Sequence, residues 1–93
     1  MAIQSFRDAD TQVFYQTGRN KRWANIAKVT LRKLDMLNAV ATLTDLRIPP
    51  ANRLETLLSN RVGQHCIRIN DQWRVCFRWT EAGPADVEIT DYH

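Results

Sequence analysis

Apolar and polar positions alternate through the last third of the chain. Residues 64–79 read QHCIRINDQWRVCFRW, and a period of two marks strands with one buried face. Ile67 and Ile69 fall on one side of a first strand, with Cys66 and Arg68 on the other. Trp73, Val75, Phe77 and Trp79 fall on one side of the next, opposite Arg74, Cys76 and Arg78. Asn70, Asp71 and Gln72 fit a three-residue loop between them. An odd loop keeps Ile69 and Trp73 on one face, and Asn or Asp tolerates the left-handed conformation such a loop needs. That register sets Arg68 across from Arg74 and Cys66 across from Cys76. After a turn-like stretch at 80–86, Val87 and Ile89 give a third apolar stripe, opposite Glu88, Thr90 and Tyr92.

Upstream the period lengthens. Ile26, Val29, Leu34, Leu37, Val40 and Ala41 gather on one side of a helix expected over 24–43, with Lys28, Arg32, Asp35 and Ala39 opposite. Lys33 falls among the apolar positions and must reach an edge. A shorter helix is expected from an N-cap at Asp8 to about Thr17, stopped by Gly18 and anchored by Val13 and Phe14. Residues 3–6 fit a first strand. Residues 44–48 fit a turn of helix or loop ended by Pro49 and Pro50, and 52–57 a second strand. The order is then an N-terminal strand, two helices and an antiparallel sheet of about four strands, which is an α+β pattern. Both helices are expected on one face of the sheet, leaving the arginines on the open face.

Ninety-three residues make one domain, 1–93. An apolar fraction of 44% with three Trp indicates a globular fold rather than disorder. No apolar run approaches the ~20 residues of a membrane span, and the first ten residues lack the apolar centre of a secretion signal. A cytoplasmic protein without a membrane partner is the expectation. The formal charge of +3 leans toward a polyanion partner. Two cysteines, with no second pair and no matching histidines, make a poor zinc site, so no metal or other cofactor is expected and the thiols are expected free.

Like charges directly opposed on a sheet repel. Arg68, Arg74 and Arg78 on one face therefore read either as a bound-anion surface or as an ordinary solvated face. Residues 18–23 form a basic loop ending in an aromatic. It reads as a phosphate grip with Arg22 and a stacking Trp23, or as a mobile polar loop whose tryptophan packs into the core, which is the commoner use of a large aromatic. Asp91, Tyr92 and His93 bring an acid, a phenol and an imidazole to the chain end, a workable kit for phosphodiester chemistry, though alternation aims Asp91 and His93 toward the core.

The helix, the Pro-Pro turn with Asn52, Arg53 and Leu54, the block from Gly63 to Arg74, and the closing Val87-Glu88-Ile89 with Asp91-Tyr92-His93 together resemble the HigB-type toxins of the RelE/ParE superfamily. The resemblance covers essentially the whole chain. It implies a compact RelE-like domain and a ribosome-dependent mRNA endonuclease that inhibits translation and growth by metal-independent attack of a ribose 2′-hydroxyl on the adjoining phosphate. It implies a helix-turn-helix HigA-type antitoxin as partner, with operator DNA reached only through it, and ribosome and mRNA as targets. By position, Arg74 would bind the scissile phosphate and stabilise the transition state. Asp91, Tyr92 and His93 would position the nucleotide and move protons. Strand geometry, rather than the resemblance, adds Arg68 as a contact to the RNA backbone, with Arg78 and Arg61 as further RNA-binding candidates.

The sequence departs from that pattern in one region. Some relatives carry a histidine in the second strand and a lysine in the loop after it. Here Glu55 stands nearest the histidine and the loop reads Leu58-Ser59-Asn60-Arg61, which leaves the identity of the general base open, with Glu55 a candidate. His65 shares a face with Ile67 and reads as a core or edge histidine. Two other functions fit the same fold: a ParE-like poison of DNA gyrase, which would not need the Asp-Tyr-His end, and a non-catalytic member that binds only antitoxin or RNA.

Overall fold

The computed structural model describes residues 2–56 and 63–91. Helix α1 runs Ala9–Thr17. The Asp8 side chain accepts from Thr11 N at 2.7 Å, and Gly18, in the left-handed region at φ 74°, donates its N–H to Phe14 O at 2.7 Å. A side chain at Gly18 would be strained there. Phe14 is buried as expected, but Val13 is 49% exposed and Thr11 takes the second core position. Thr11 Oγ1 accepts from Ile89 N at 3.3 Å, which ties α1 to the sheet.

The expected helix over 24–43 is shorter and begins with a kink. A 3-10 helix spans Lys21–Ile26, Trp23 breaks from helical geometry inside it, and α2 then covers Ala27–Ala39. The kink rotates the buried stripe to Ile26, Thr30, Leu34 and Leu37, and Val29 emerges at 36% exposure. Thr42 and Asp45 end the run by forming a capping box for a 3-10 helix at Leu43–Arg47. Another 3-10 turn, Pro50–Asn52, replaces the start of the expected strand over 52–57, since Arg53 turns left-handed at φ 46°. Asn52 is buried instead, donating to Leu46 O at 3.0 Å and accepting from Lys33 Nζ. That bond is where Lys33 finds its edge; burial lowers its pKa.

Four antiparallel strands follow in spatial order: β1 Glu55–Thr56, β2 Gln64–Arg68, β3 Trp73–Thr80 and β4 Gly83–Asp91. The last strand starts at Gly83 rather than Val87, because the turn-like stretch shrinks to Glu81 and Ala82. A side chain at Gly83 would sit 2.3 Å from Ala2 O, so only glycine fits where the N-terminal segment crosses. That segment makes a single parallel bridge, Phe6 to Val87, with bonds from Gln4 N to Pro84 O and Arg7 N to Val87 O. It flanks β4 without forming a continuous strand.

Ile67, Val75 and Ile89 lie side by side on the face that packs against Phe14, Ile26, Leu34 and Leu37. The α+β layout, with helices on one face of the sheet, stands as expected. Among the described residues no helix is long and apolar enough to cross a membrane.

Candidate active site at the tip of the central hairpin

The expected register of the central hairpin holds residue by residue. Arg68 opposes Arg74 and Cys66 opposes Cys76, and Ile69 N donates to Trp73 O at 3.0 Å across the three-residue turn. Asn70 builds that turn by accepting from Gln72 N at 2.9 Å and Trp73 N at 2.8 Å through its side-chain oxygen. Both arginines face away from the helices.

Three of the site residues expected from sequence meet at this turn. Arg68 pairs with Asp71, and its Nε is buried with no hydrogen-bond partner among the described residues. Leaving a charged donor unused costs roughly 1–3 kcal/mol, a cost that a bound anion would remove. Arg74 folds toward the turn, donating to Asn70 O and to Trp73 O at 3.1 Å. Asp91 ends β4 opposite Trp73 and accepts from Gln72 Nε2 at 3.0 Å. By alternation Asp91 belongs to the helix side. Gln72 connects it instead to the turn where the two guanidinium groups converge. The sequence marks Asn70 and Gln72 only as loop residues, through the odd loop length; their roles in holding the turn and Asp91 emerge from the structure.

The remaining candidates lie elsewhere. Arg78 sits at the other end of β3, its Nε 2.7 Å from Asp86 Oδ2. That guanidinium holds the Asp86 carboxyl below the usual carboxylate range. Glu55 is exposed on the edge strand opposite Cys66. Arg22 lies among the helices, stacked over the Trp23 ring at 4.7 Å and 3.7 Å from Asp10. Arg61, Tyr92 and His93 lie outside the described residues.

The arginine face is less open and less uniformly cationic than expected. Glu88, 8% exposed, shares it and meets Arg7 of the N-terminal segment at 3.2 Å. The free thiols expected from composition are corrected: Cys66 and Cys76 are joined as a disulfide. The reason is register, since directly opposed residues place their Cα atoms 4.2 Å apart, close enough to bridge.

His65 packs against Phe77, with ring centroids 6.0 Å apart, and its Nδ1 lies 3.0 Å from Thr56 Oγ1. Burial lowers its pKa from the ordinary 6.5. The unfolded chain therefore takes up this proton first as pH falls. The stabilising contribution is complete above pH 6.5 and is lost as pH drops below it. In denaturant titrations between pH 7.5 and 5, His65→Gln is expected to flatten the pH dependence of stability relative to the parent.

An arginine pair facing a turn, with a carboxylate held beside it, can bind a phosphodiester and stabilise charge building on its oxygens. The comparisons place the chain in a family. Residues 4–93 match the family model for the RelE-like toxin of the type II toxin–antitoxin system HigB. Toxin HigB-1 of Vibrio cholerae is 39% identical over 83 residues, covering 87% of this chain and 86% of that protein. An uncharacterized protein of Haemophilus influenzae is 41% identical over 78 residues, covering 82% of this chain and 77% of its own. In structure, the chain is similar over its full length to a YoeB–YefM complex from Staphylococcus aureus (TM-score 0.57, 18% identity, 99% of that chain). It is likewise similar to a YoeB/ParE toxin from Agrobacterium tumefaciens (TM-score 0.54, 16% identity, 99% of that chain). At those identities the structural likeness is one of fold, and it agrees with the layered α+β architecture. The chain thus belongs to the HigB-like family of RelE-like toxins from type II toxin–antitoxin systems.

Proposed function

We propose that this toxin is an endoribonuclease that cuts mRNA on the translating ribosome. The observation that supports this most is the directly opposed pair Arg68 and Arg74 at the tip of the central hairpin, with Asp91 linked to the same turn through Gln72. A cationic notch of this kind suits a phosphodiester. In this reading a ribose 2′-oxygen attacks the adjoining phosphorus. A 2′-O–P bond forms, the bond to the next nucleotide's 5′-oxygen breaks, and a cyclic phosphate and a 5′-hydroxyl end result. Arg74 stabilises the charge on the phosphate oxygens. His93 protonates the leaving oxygen, and Tyr92 and Asp91 orient the nucleotide. Glu55 is the candidate base for the 2′-hydroxyl, and Arg68, Arg78 and Arg61 hold the RNA backbone. The groups that carry charge and protons are all side chains of this chain.

The partner in this reading is a HigA-type helix-turn-helix antitoxin that blocks the toxin and brings it to operator DNA, and both act in the cytoplasm. The decisive experiment maps RNA 5′ ends across the transcriptome after a short induction. New ends within translated reading frames are expected, and none are expected in untranslated RNA. Growth arrest without new ends would overturn the nuclease reading in favour of a binding member, and arrest accompanied by gyrase inhibition would point to the ParE-like activity.

A further inference from the structure

We propose that Cys66 and Cys76 are a reversible oxidation site that sets how firmly the arginine pair is held. The functional consequence rests on the RNA-cleaving reading above; the cross-link itself does not.

The disulfide joins β2 to β3 across a sequence separation of 10. The loop it closes contains the whole candidate notch: Arg68, the turn residues Asn70 to Gln72, and Arg74. The pair Arg68–Arg74 is the next pair along the same face. Ile69 and Trp73 bond across the turn, so alternation makes both Cys66–Cys76 and Arg68–Arg74 non-hydrogen-bonded positions, where side chains on opposite strands come closest. Two arginines therefore oppose each other at the close pair positions, a like-charge pairing that disfavours the register, even with Arg68 on Asp71 and Arg74 on Asn70 O. A covalent bond one pair away resists their separation. With the bond open, the ladder and the turn's own bonds alone hold the pair, and more of its ordering falls to the bound phosphate.

Both sulfurs are completely buried, and each has a carboxylate at the neighbouring strand position, Glu55 beside Cys66 and Glu88 beside Cys76. Burial and adjacent negative charge both disfavour the thiolate that exchange requires. The site is therefore slow to change state in either direction and keeps the state in which it was last equilibrated.

The oxidant is a low-molecular-weight disulfide. One cysteine thiolate attacks a sulfur of it, expelling one small thiolate and leaving a mixed disulfide. The second cysteine thiolate then attacks the protein sulfur of that bond and expels the other. Two protein S–H groups are oxidised to one S–S, one small disulfide is reduced to two thiols, and the two protons pass from the protein to the leaving thiolates.

The test unfolds the purified toxin and refolds it with oxidised or reduced glutathione, removes the reagent and counts thiols by alkylation and mass. Each form is then assayed in thiol-free buffer for binding and cleavage of mRNA on purified ribosomes. The oxidised form should melt at least about 10 °C higher, because a closed loop constrains the unfolded chain. It should bind RNA about fivefold more tightly, as expected for a pre-organised site. The double substitution Cys66→Ala, Cys76→Ala should behave like the reduced form under both treatments. Two unmodified thiols after glutathione disulfide treatment of unfolded-and-refolded toxin would overturn the proposal. So would equal binding and cleavage by the two wild-type forms. Absence of cleavage and RNA binding in both forms, with the cross-link still forming, would instead sink the nuclease reading and the coupling to it.

Discussion

Replacing Arg74 by alanine is expected to slow mRNA cleavage by about 100- to 1,000-fold, the usual loss when one donor to a developing oxyanion is removed. The size follows from its position. Arg74 sits at the tip of the central hairpin, and its guanidinium reaches the turn that also receives Asp91 through Gln72. Arg74→Lys should recover only part of the loss, because a lysine keeps the charge but not the planar fork that meets two phosphate oxygens at once. Fold stability should be little changed in Arg74→Ala, where relief of the like charge of Arg68 offsets the lost bonds to Asn70 O and Trp73 O, and in Arg74→Lys, which keeps the charge. Single-turnover cleavage on programmed ribosomes, read beside thermal melting, separates chemistry from folding. Cleavage within about twofold of the parent in a folded Arg74→Ala protein would remove this residue from the reaction.

Much of this site was readable in the sequence because strand periodicity carries register as well as secondary structure. Once Ile69 and Trp73 must share a face, the turn length is forced, and Arg68–Arg74 and Cys66–Cys76 follow as opposed pairs. The same alternation could not reveal that Cys66 and Cys76 are bonded, because composition set the prior for free thiols and only the 4.2 Å Cα separation argues otherwise. The helical half was less legible. Val29 and Ile26 are equally apolar, and only the kink at Trp23 decides which of them faces the sheet. Arg53, Leu54 and Glu55 read as strand, yet with the left-handed turn at Arg53 and the buried side-chain bonds of Asn52, pairing among the described residues begins at Glu55 and Thr56. Those are tertiary choices, and local propensity does not contain them. Salt links such as Arg7–Glu88 and Arg78–Asp86 were invisible for a similar reason. One depends on where the N-terminal segment crosses β4. The other depends on the register shift between Cys76 and Arg78, where Asp86 turns to a positive φ of 50°.

Trp23→Ala is expected to be the most damaging single change to the fold, costing about 3–5 kcal/mol. A small domain has only about 5–15 kcal/mol in hand, so the variant should melt far below the parent and be partly unfolded at growth temperature. The ring is completely buried, meets Phe14 edge-on with centroids 5.4 Å apart, and sits at the kink that redirects the chain from the basic loop into α2. Removing it leaves a cavity between both helices and the sheet that the rigid hairpin cannot collapse to fill. It also decides between the two readings of the basic loop: a buried ring offers no face on which a base can stack. Arg22→Ala, by contrast, removes an exposed cation over that ring and an ion pair with Asp10, and should cost under about 1 kcal/mol. Denaturant unfolding measures both costs, and the cleavage rate per folded molecule is expected to match the parent for each. A Trp23→Ala protein that stays as stable as the parent but loses RNA affinity would return the tryptophan to the nucleic-acid surface and the loop with it.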